Sequence, residues 1–347
     1  MRKIDIIAVA TAMAFCFVGA PAAADAGETA VSWNIGATTV TATLTLPDGP
    51  GPHPAVVFVA GSGPTDRDWN SPLMPGRNGT APLLAAELAK AGFASIRYDK
   101  RFLGPYAAGN MQVLMGKLSF ESHAEEVNSA VSCLKGRLDI APDRIYALTN
   151  SEGALHAINS QLRNKYFRGL VLGAPPGRPL KELLRAQIAA QVVSLPGSGE
   201  IMAGFDRLIE RFGKGEPFSP EPAVPAPLNG LIQGMLYNPA NLPFMRELLS
   251  ADPARLLSGT NAPALVIIGK KDIQVDWKED GAALERYAPE KASFVYPSDA
   301  DHVLKHEPRP REELTAEAGL QYNAEGRALD GAAADSIISW LKAENAR

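Results

Sequence analysis

Ile145-Tyr146-Ala147-Leu148-Thr149-Asn150-Ser151-Glu152-Gly153-Ala154-Leu155 reads as an apolar strand, a turn built around one serine, and the start of a helix. This stretch decides the fold. A serine hydroxyl is a poor nucleophile unless a sharp strand-to-helix turn holds it where a base can reach it. A glycine two residues after the serine keeps the helix start clear of the strand, and Gly153 fills that position. Two residues before the serine, where glycine is usual, the chain has Thr149.

Working outward toward the C-terminus, the partners such a serine needs follow in a recognised order, acid then histidine. Ala264-Leu265-Val266-Ile267-Ile268-Gly269 is a buried-strand run, and Asp272 lies in the loop behind it. An acid at the C-terminal end of a parallel strand falls on the same sheet edge as the serine turn. The next apolar run, Ala292-Ser293-Phe294-Val295-Tyr296, leads into Ser298-Asp299-Ala300-Asp301-His302, which offers His302 as the base. Ser151, Asp272 and His302 are therefore the expected catalytic triad. Asp276 and His306 lie further past their strand ends and rank second.

Toward the N-terminus the pattern alternates. Val31–Ile35 and Val40–Leu46 are β-rich, Pro47 to Pro54 is a turn, and Ala55-Val56-Val57-Phe58-Val59-Ala60 is a continuous apolar strand. Helical periodicity over Thr80 to Ala91 stops at Gly92, Phe93 to Tyr98 is a strand, and Phe120 to Lys135 is a helix. After the serine turn comes one more strand, Phe167 to Leu172, and then the alternation ends. From Pro179 to about Gly259 only helical patterns occur, among them Leu180–Val193 and Ile201–Phe212, with a proline-rich break at Pro217 to Pro227. The reading is a mostly parallel central sheet flanked by helices, built from residues 25–177 and 260–347, with a helical cap or lid at 178–259 above Ser151. Phe205, Met235, Leu236, Tyr237, Phe244 and Met245 are the apolar cap residues available to line an acyl or aromatic pocket, although most such residues belong to a core.

Arg2 and Lys3, the run from Ile6 to Ala20 and the closing Pro21-Ala22-Ala23-Ala24 have the form of a signal peptide cleaved before Asp25. The run is shorter than the ~20 residues of a membrane span. Export to the periplasm or medium is expected, without stable membrane insertion after cleavage. Cys133 is then the one cysteine of the mature chain, in a helical pattern where a structural thiol is the plainer reading. A net charge of −4 spread without long runs argues against nucleic acid as a partner and suits a small neutral substrate. The oligomeric state is not readable. His53, His123 and His156 have no partner at ligand spacing, so no metal or organic cofactor is expected.

The loop Ala60-Gly61-Ser62-Gly63-Pro64 follows the first long buried strand, where one backbone amide of an oxyanion hole belongs. Ser62 is the preferred donor, Gly63 the next, and the second amide is that of Glu152. Thr65-Asp66-Arg67-Asp68 is read as bracing this loop by an internal ion pair, and Tyr98-Asp99-Lys100-Arg101 as a structural ion-pair knot.

These segments, with Asn150-Ser151-Glu152-Gly153, Asp272 and Asp301-His302-Val303-Leu304-Lys305, resemble the bacterial α/β-hydrolases of the serine aminopeptidase and dienelactone-hydrolase-like group. The resemblance spans nearly all of the mature chain and implies an α/β-hydrolase fold, a serine triad and an exported, capped ester hydrolase. It does not name the ester. Thr149 departs from the group's elbow glycine, which could strain the turn, and Phe102-Leu103 replaces the glycine that often follows the Lys-Arg pair. The expected activity is hydrolysis of carboxylic esters of a small acyl substrate. An aminopeptidase or amidase, with Glu152 or Glu200 receiving an amine, and a non-catalytic binding protein are the alternatives.

Overall fold

The computed structural model describes residues 27–347, so the expected leader over 1–24 lies outside the described residues. Among the described residues eight strands form one sheet: β1 (Glu28–Ile35), β2 (Thr38–Thr45), β3 (His53–Val59), β4 (Ala94–Tyr98), β5 (Ile140–Asn150), β6 (Gly169–Gly173), β7 (Ala264–Ile267) and β8 (Ala292–Val295). Across the sheet their order is β1-β2-β4-β3-β5-β6-β7-β8. β2 is antiparallel to β1 and β4, and all the other pairs are parallel. The continuous apolar runs of the sequence are the central strands, covered on both faces.

The helices are α1 (Thr80–Lys90), α2 (Ala107–Leu114), α3 (Phe120–Lys135), α4 (Gly153–Asn164), α5 (Leu180–Val192), α6 (Ser198–Gly213), α7 (Ala226–Leu236), α8 (Leu242–Ser250), α9 (Pro253–Ser258), α10 (Glu279–Tyr287) and α11 (Gly331–Asn345). On one face of the sheet α3, α4, α9 and α10 contribute Val127, Ile158, Leu257 and Leu284 to the core. On the other, α1 and α11 contribute Leu84, Leu88, Ile337 and Leu341. Helices α5 to α8 have an apolar cluster of their own, centred on Phe205, Leu208, Ile232 and Leu236, into which Leu155 of α4 reaches.

The helical excursion leaves the sheet at a fixed point. The amides of Gly177 and Arg178 both donate to Asp280 Oδ1 at 3.0 Å, and the Arg178 guanidinium binds Asp280 Oδ2 at 2.9 Å. A Cβ at Gly177 would stand 2.0 Å from the Asp280 carbonyl oxygen, so only glycine fits there. The excursion closes sooner than its helical pattern suggests. α9 is amphipathic like its predecessors, but its Ala254 and Leu257 pack with the sheet core, against α4 and α10.

Candidate active site

Ser151 stands between β5 and α4 with φ at +52°, in the left-handed region that side chains avoid. That conformation costs roughly 1–2 kcal/mol. The turn is held from three sides. The Ser151 amide donates to Gly173 O at 2.8 Å at the end of β6. A Cβ at Gly153 would sit 2.4 Å from Val59 O, so α4 can start this close to β3 only on a glycine. Gly61 lies against the serine itself, its missing Cβ being 3.3 Å from Ser151 Cβ. Thr149 is not a point of strain: it is an ordinary ladder residue of β5, opposite Val59 and Leu172.

Asp272 and His302, the expected acid and base, lie within hydrogen-bonding distance of each other. His302 Nδ1 donates to Asp272 Oδ2 at 2.8 Å, both side chains buried. The other carboxylate oxygen of Asp272 accepts from the amides of Gln274 at 2.7 Å and Val275 at 2.9 Å, which fixes the carboxylate plane. Burial alone would lower the His302 pKa, but the charge and hydrogen bond of Asp272 outweigh it and the net direction is upward. The loops carrying the pair are in backbone contact, since a Cβ on Gly269 would fall 1.9 Å from Ala300 O. Asn150 Nδ2 donates to the His302 carbonyl at 3.0 Å and so ties the serine turn to the histidine loop.

Ser62, Gly63, Ser151, Glu152 and His302 all line one cavity of about 1690 Å³. Neither the Ser62 nor the Glu152 amide has a hydrogen-bond acceptor among the described residues. Apolar residues form the wall opposite the serine: Leu183 and Leu184 from α5, Met235 from α7, and Phe244, Met245 and Leu248 from α8. Phe205, Leu236 and Tyr237 belong instead to the inner packing of the excursion. Glu200 is exposed and away from the cavity. Asp276 receives the amides of Lys278 and Glu279 at the start of α10, and the half-exposed His306 faces Asp330 at 3.7 Å; neither reaches the site.

Beneath the serine lies a buried polar group. His156 Nε2 donates to Glu152 Oε1 at 3.3 Å, His123 stacks on His156 at 4.4 Å, and His123 Nδ1 donates to Glu126 at 3.3 Å. Burial opposes ionisation of Glu152, yet the His156 hydrogen bond and the surrounding positive charge hold its pKa down at about 2. Burial takes His156 down to about 4. Glu152 is thus an anion already engaged by a neutral histidine. His123 lies in α3 and His156 in α4, with β5 between them in the chain, so their meeting follows from α3 packing on α4, which no spacing announces.

The two charged loops pair with each other rather than within themselves. Arg67 binds Asp99 at 2.5 Å, Arg97 binds Asp68 at 3.1 Å and Glu28 at 2.8 Å, and Arg101 binds Glu126 at 3.1 Å. The loop after β3 is braced from β4 because those strands are neighbours in the sheet. Asp66 uses its carboxylate on the amides of Asp68 and Asn70. Cys133 is half-buried against the sheet core, and burial raises its thiol pKa, away from nucleophilic use. The described residues contain no cluster of three or more His, Cys, Asp or Glu able to hold a metal.

No family model matches the chain. Esterase EstD of Thermotoga maritima is 29% identical over 254 residues, covering 72% of this chain and 54% of that protein, so the chain spans about half the length of this relative. Est1E from Butyrivibrio proteoclasticus superposes with a TM-score of 0.54 at 13% identity, over 92% of this chain and 99% of that one. Proline iminopeptidase from Mycobacterium smegmatis gives 0.52 at 14%, again over 92% and 99%. The fold is that of the α/β hydrolases. In that hydrolase fold the parallel strands deliver their loops to one edge, and the three loops after β5, β7 and β8 here bring Ser151, Asp272 and His302 to it.

Proposed function

We propose that the protein hydrolyses carboxylic esters through a Ser151 acyl-enzyme. The observation that carries this reading is the His302–Asp272 hydrogen bond beside a serine held in the left-handed region, with Ser151 and His302 facing the same cavity. His302 takes the hydroxyl proton as Ser151 attacks the carbonyl carbon, and Asp272 orients and stabilises the imidazolium. The Ser62 and Glu152 amides receive the oxyanion. Collapse of the tetrahedral adduct expels the alcohol, which takes the proton from His302; water, activated by the same histidine, then frees the carboxylic acid and restores Ser151.

The resemblance in sequence to an esterase supports the ester reading. So does the state of the acids: the charge of Glu152 is spent on His156, Glu200 lies outside the cavity, and the other acids lining it among the described residues, Glu28 and Asp68, are paired with Arg97. Helices α5 to α8 act as a cap whose apolar wall takes the acyl group. The leader pattern supports export, and N-terminal sequencing of the secreted or periplasmic protein should begin near Asp25; an intact Met1 in a membrane fraction would refute it.

The deciding experiment sets nitrophenyl esters of graded chain length beside aminoacyl nitroanilides. Esters should be cleaved in preference, and Ser151→Ala should lose on the order of 10⁴-fold or more in kcat. Faster cleavage of the nitroanilides would favour an amidase. Failure of the wild-type protein to react with a fluorophosphonate would point to a binding protein.

A further inference from the structure

At the end of β4 three consecutive charged side chains leave in different directions. Asp99 goes to Arg67 and Arg101 to Glu126. Lys100, between them, makes no ion pair among the described residues. Its buried ammonium donates instead to the Gly61 carbonyl and, at 2.8 Å, to the Gly63 carbonyl. The Phe102 ring lies over it, with the centroid at 5.7 Å. Burial pulls the Lys100 pKa down, and the fields of Glu152, Glu126 and Asp66 oppose that. Holding an ammonium on neutral carbonyls is a costly way to fill space, since desolvating such an ion costs roughly several kcal/mol. A methionine would occupy nearly the same volume.

The gain lies in which carbonyls are held. In a trans peptide the oxygen and the amide hydrogen point in opposite directions. The Gly61 carbonyl shares its peptide group with the Ser62 amide, the preferred oxyanion donor. An ammonium on that oxygen fixes the direction of the N–H and draws electron density from it, strengthening it as a donor. The second anchor at Gly63 stops the loop from rotating about the first. We propose that Lys100 is a positioning residue for acyl transfer, holding and polarising the Gly61–Ser62 peptide so that its amide meets the oxyanion above Ser151.

The inference rests on the ester-hydrolase reading. Within it, Lys100 also answers the electrostatic difficulty posed by Glu152, whose buried carboxylate directly follows the nucleophile and opposes a second negative charge beside it. Phe102, which lines the cavity beside Lys100, gives the ammonium an aromatic face at the position where the resembling sequences often have glycine.

The test compares wild type, Lys100→Met and Ser151→Ala on one nitrophenyl ester, with the inhibition constant of an aryl trifluoromethyl ketone, which forms a tetrahedral oxyanion adduct with an active serine. Lys100→Met should lower kcat by about 10²-fold, the size of effect of losing one oxyanion donor. KM should stay within about threefold, because the interaction belongs to the transition state. Affinity for the ketone should fall by a factor similar to that of kcat, a parallel that loosened packing would not produce. Should Lys100→Met not fold, Lys100→Gln keeps a polar, hydrogen-bonding side chain without the charge and is read in the same way. Undiminished kcat in a folded, uncharged variant overturns the role of Lys100 while leaving the hydrolase reading intact if Ser151→Ala is dead. Full turnover by Ser151→Ala defeats the hydrolase reading itself.

Discussion

Ser151 holds a backbone conformation that a chain adopts only under constraint, and the constraint is supplied by glycines on either side of it in space, Gly61 and Gly153. In the proposed mechanism His302 must be neutral to accept a proton, and Asp272 raises its pKa. Protonation therefore disables the base as pH falls through that raised value. The kcat/KM profile should show an acid limb with an apparent pKa above the ordinary histidine value of about 6.5. In Asp272→Asn the limb should move down and the plateau fall; a limb unmoved by that substitution would separate Asp272 from the base. Thr149 offers a contrasting case. Its hydroxyl is buried with no hydrogen-bond partner among the described residues, so Thr149→Val removes an unsatisfied polar group. We expect a stability gain of about 1 kcal/mol, seen as a higher Tm, with turnover retained. A lower Tm would mean that the hydroxyl has a partner.

Among the elements, the excursion between β6 and β7 divides its aromatic residues into two kinds. Phe244 faces the cavity, whereas Phe205 is fully buried among α5 to α8. Phe244→Ala should reorder preference among acyl lengths by roughly 10–200-fold while an acetyl ester is little affected. Phe205→Ala should cost about 3–5 kcal/mol and lower turnover of all esters alike at raised temperature. Thermal melts and kcat/KM across the ester series distinguish the two. Sequence alone could not separate these residues, because both sit on the apolar stripe of an amphipathic helix and only the packing of four helices decides which stripe meets the cavity. Strands behaved differently: the runs at 55–60 and 264–268 are apolar throughout and those at 93–98 and 145–150 mostly so, as central parallel strands require. The expected positions of serine and acid, Ser151 and Asp272, were legible for the same reason, each following such a run, whereas His302 follows the partly exposed edge strand β8. What the chain conceals is lateral adjacency. That β4 lies beside β3 puts Arg97, Asp99 and Lys100 against the loop after β3, and linear order says nothing of it. Helices α2, α10 and α11 carry short or weak patterns and were equally hidden.

For the molecule as a whole, one sheet edge collects loops that are far apart in the chain. The hydrogen bond from Asn150 to the His302 carbonyl joins positions 152 residues apart. The whole excursion, β7 and β8 come between them, and among the described residues β8 is an outermost strand, paired only with β7. A long connection of this kind closes late, because its ends must lose their freedom before any contact repays the loss. On the proposed mechanism the serine turn emerges during synthesis well before its base, so the growing chain carries a nucleophile that nothing activates. The protein is in this sense unarmed until its edge strand docks. In refolding from denaturant the far-ultraviolet circular dichroism should return first and ester turnover later, in a phase slowed by weakening β8, for instance with Phe294→Ala. Turnover that reappeared together with the earliest secondary structure would mean that base and nucleophile find each other without the finished sheet.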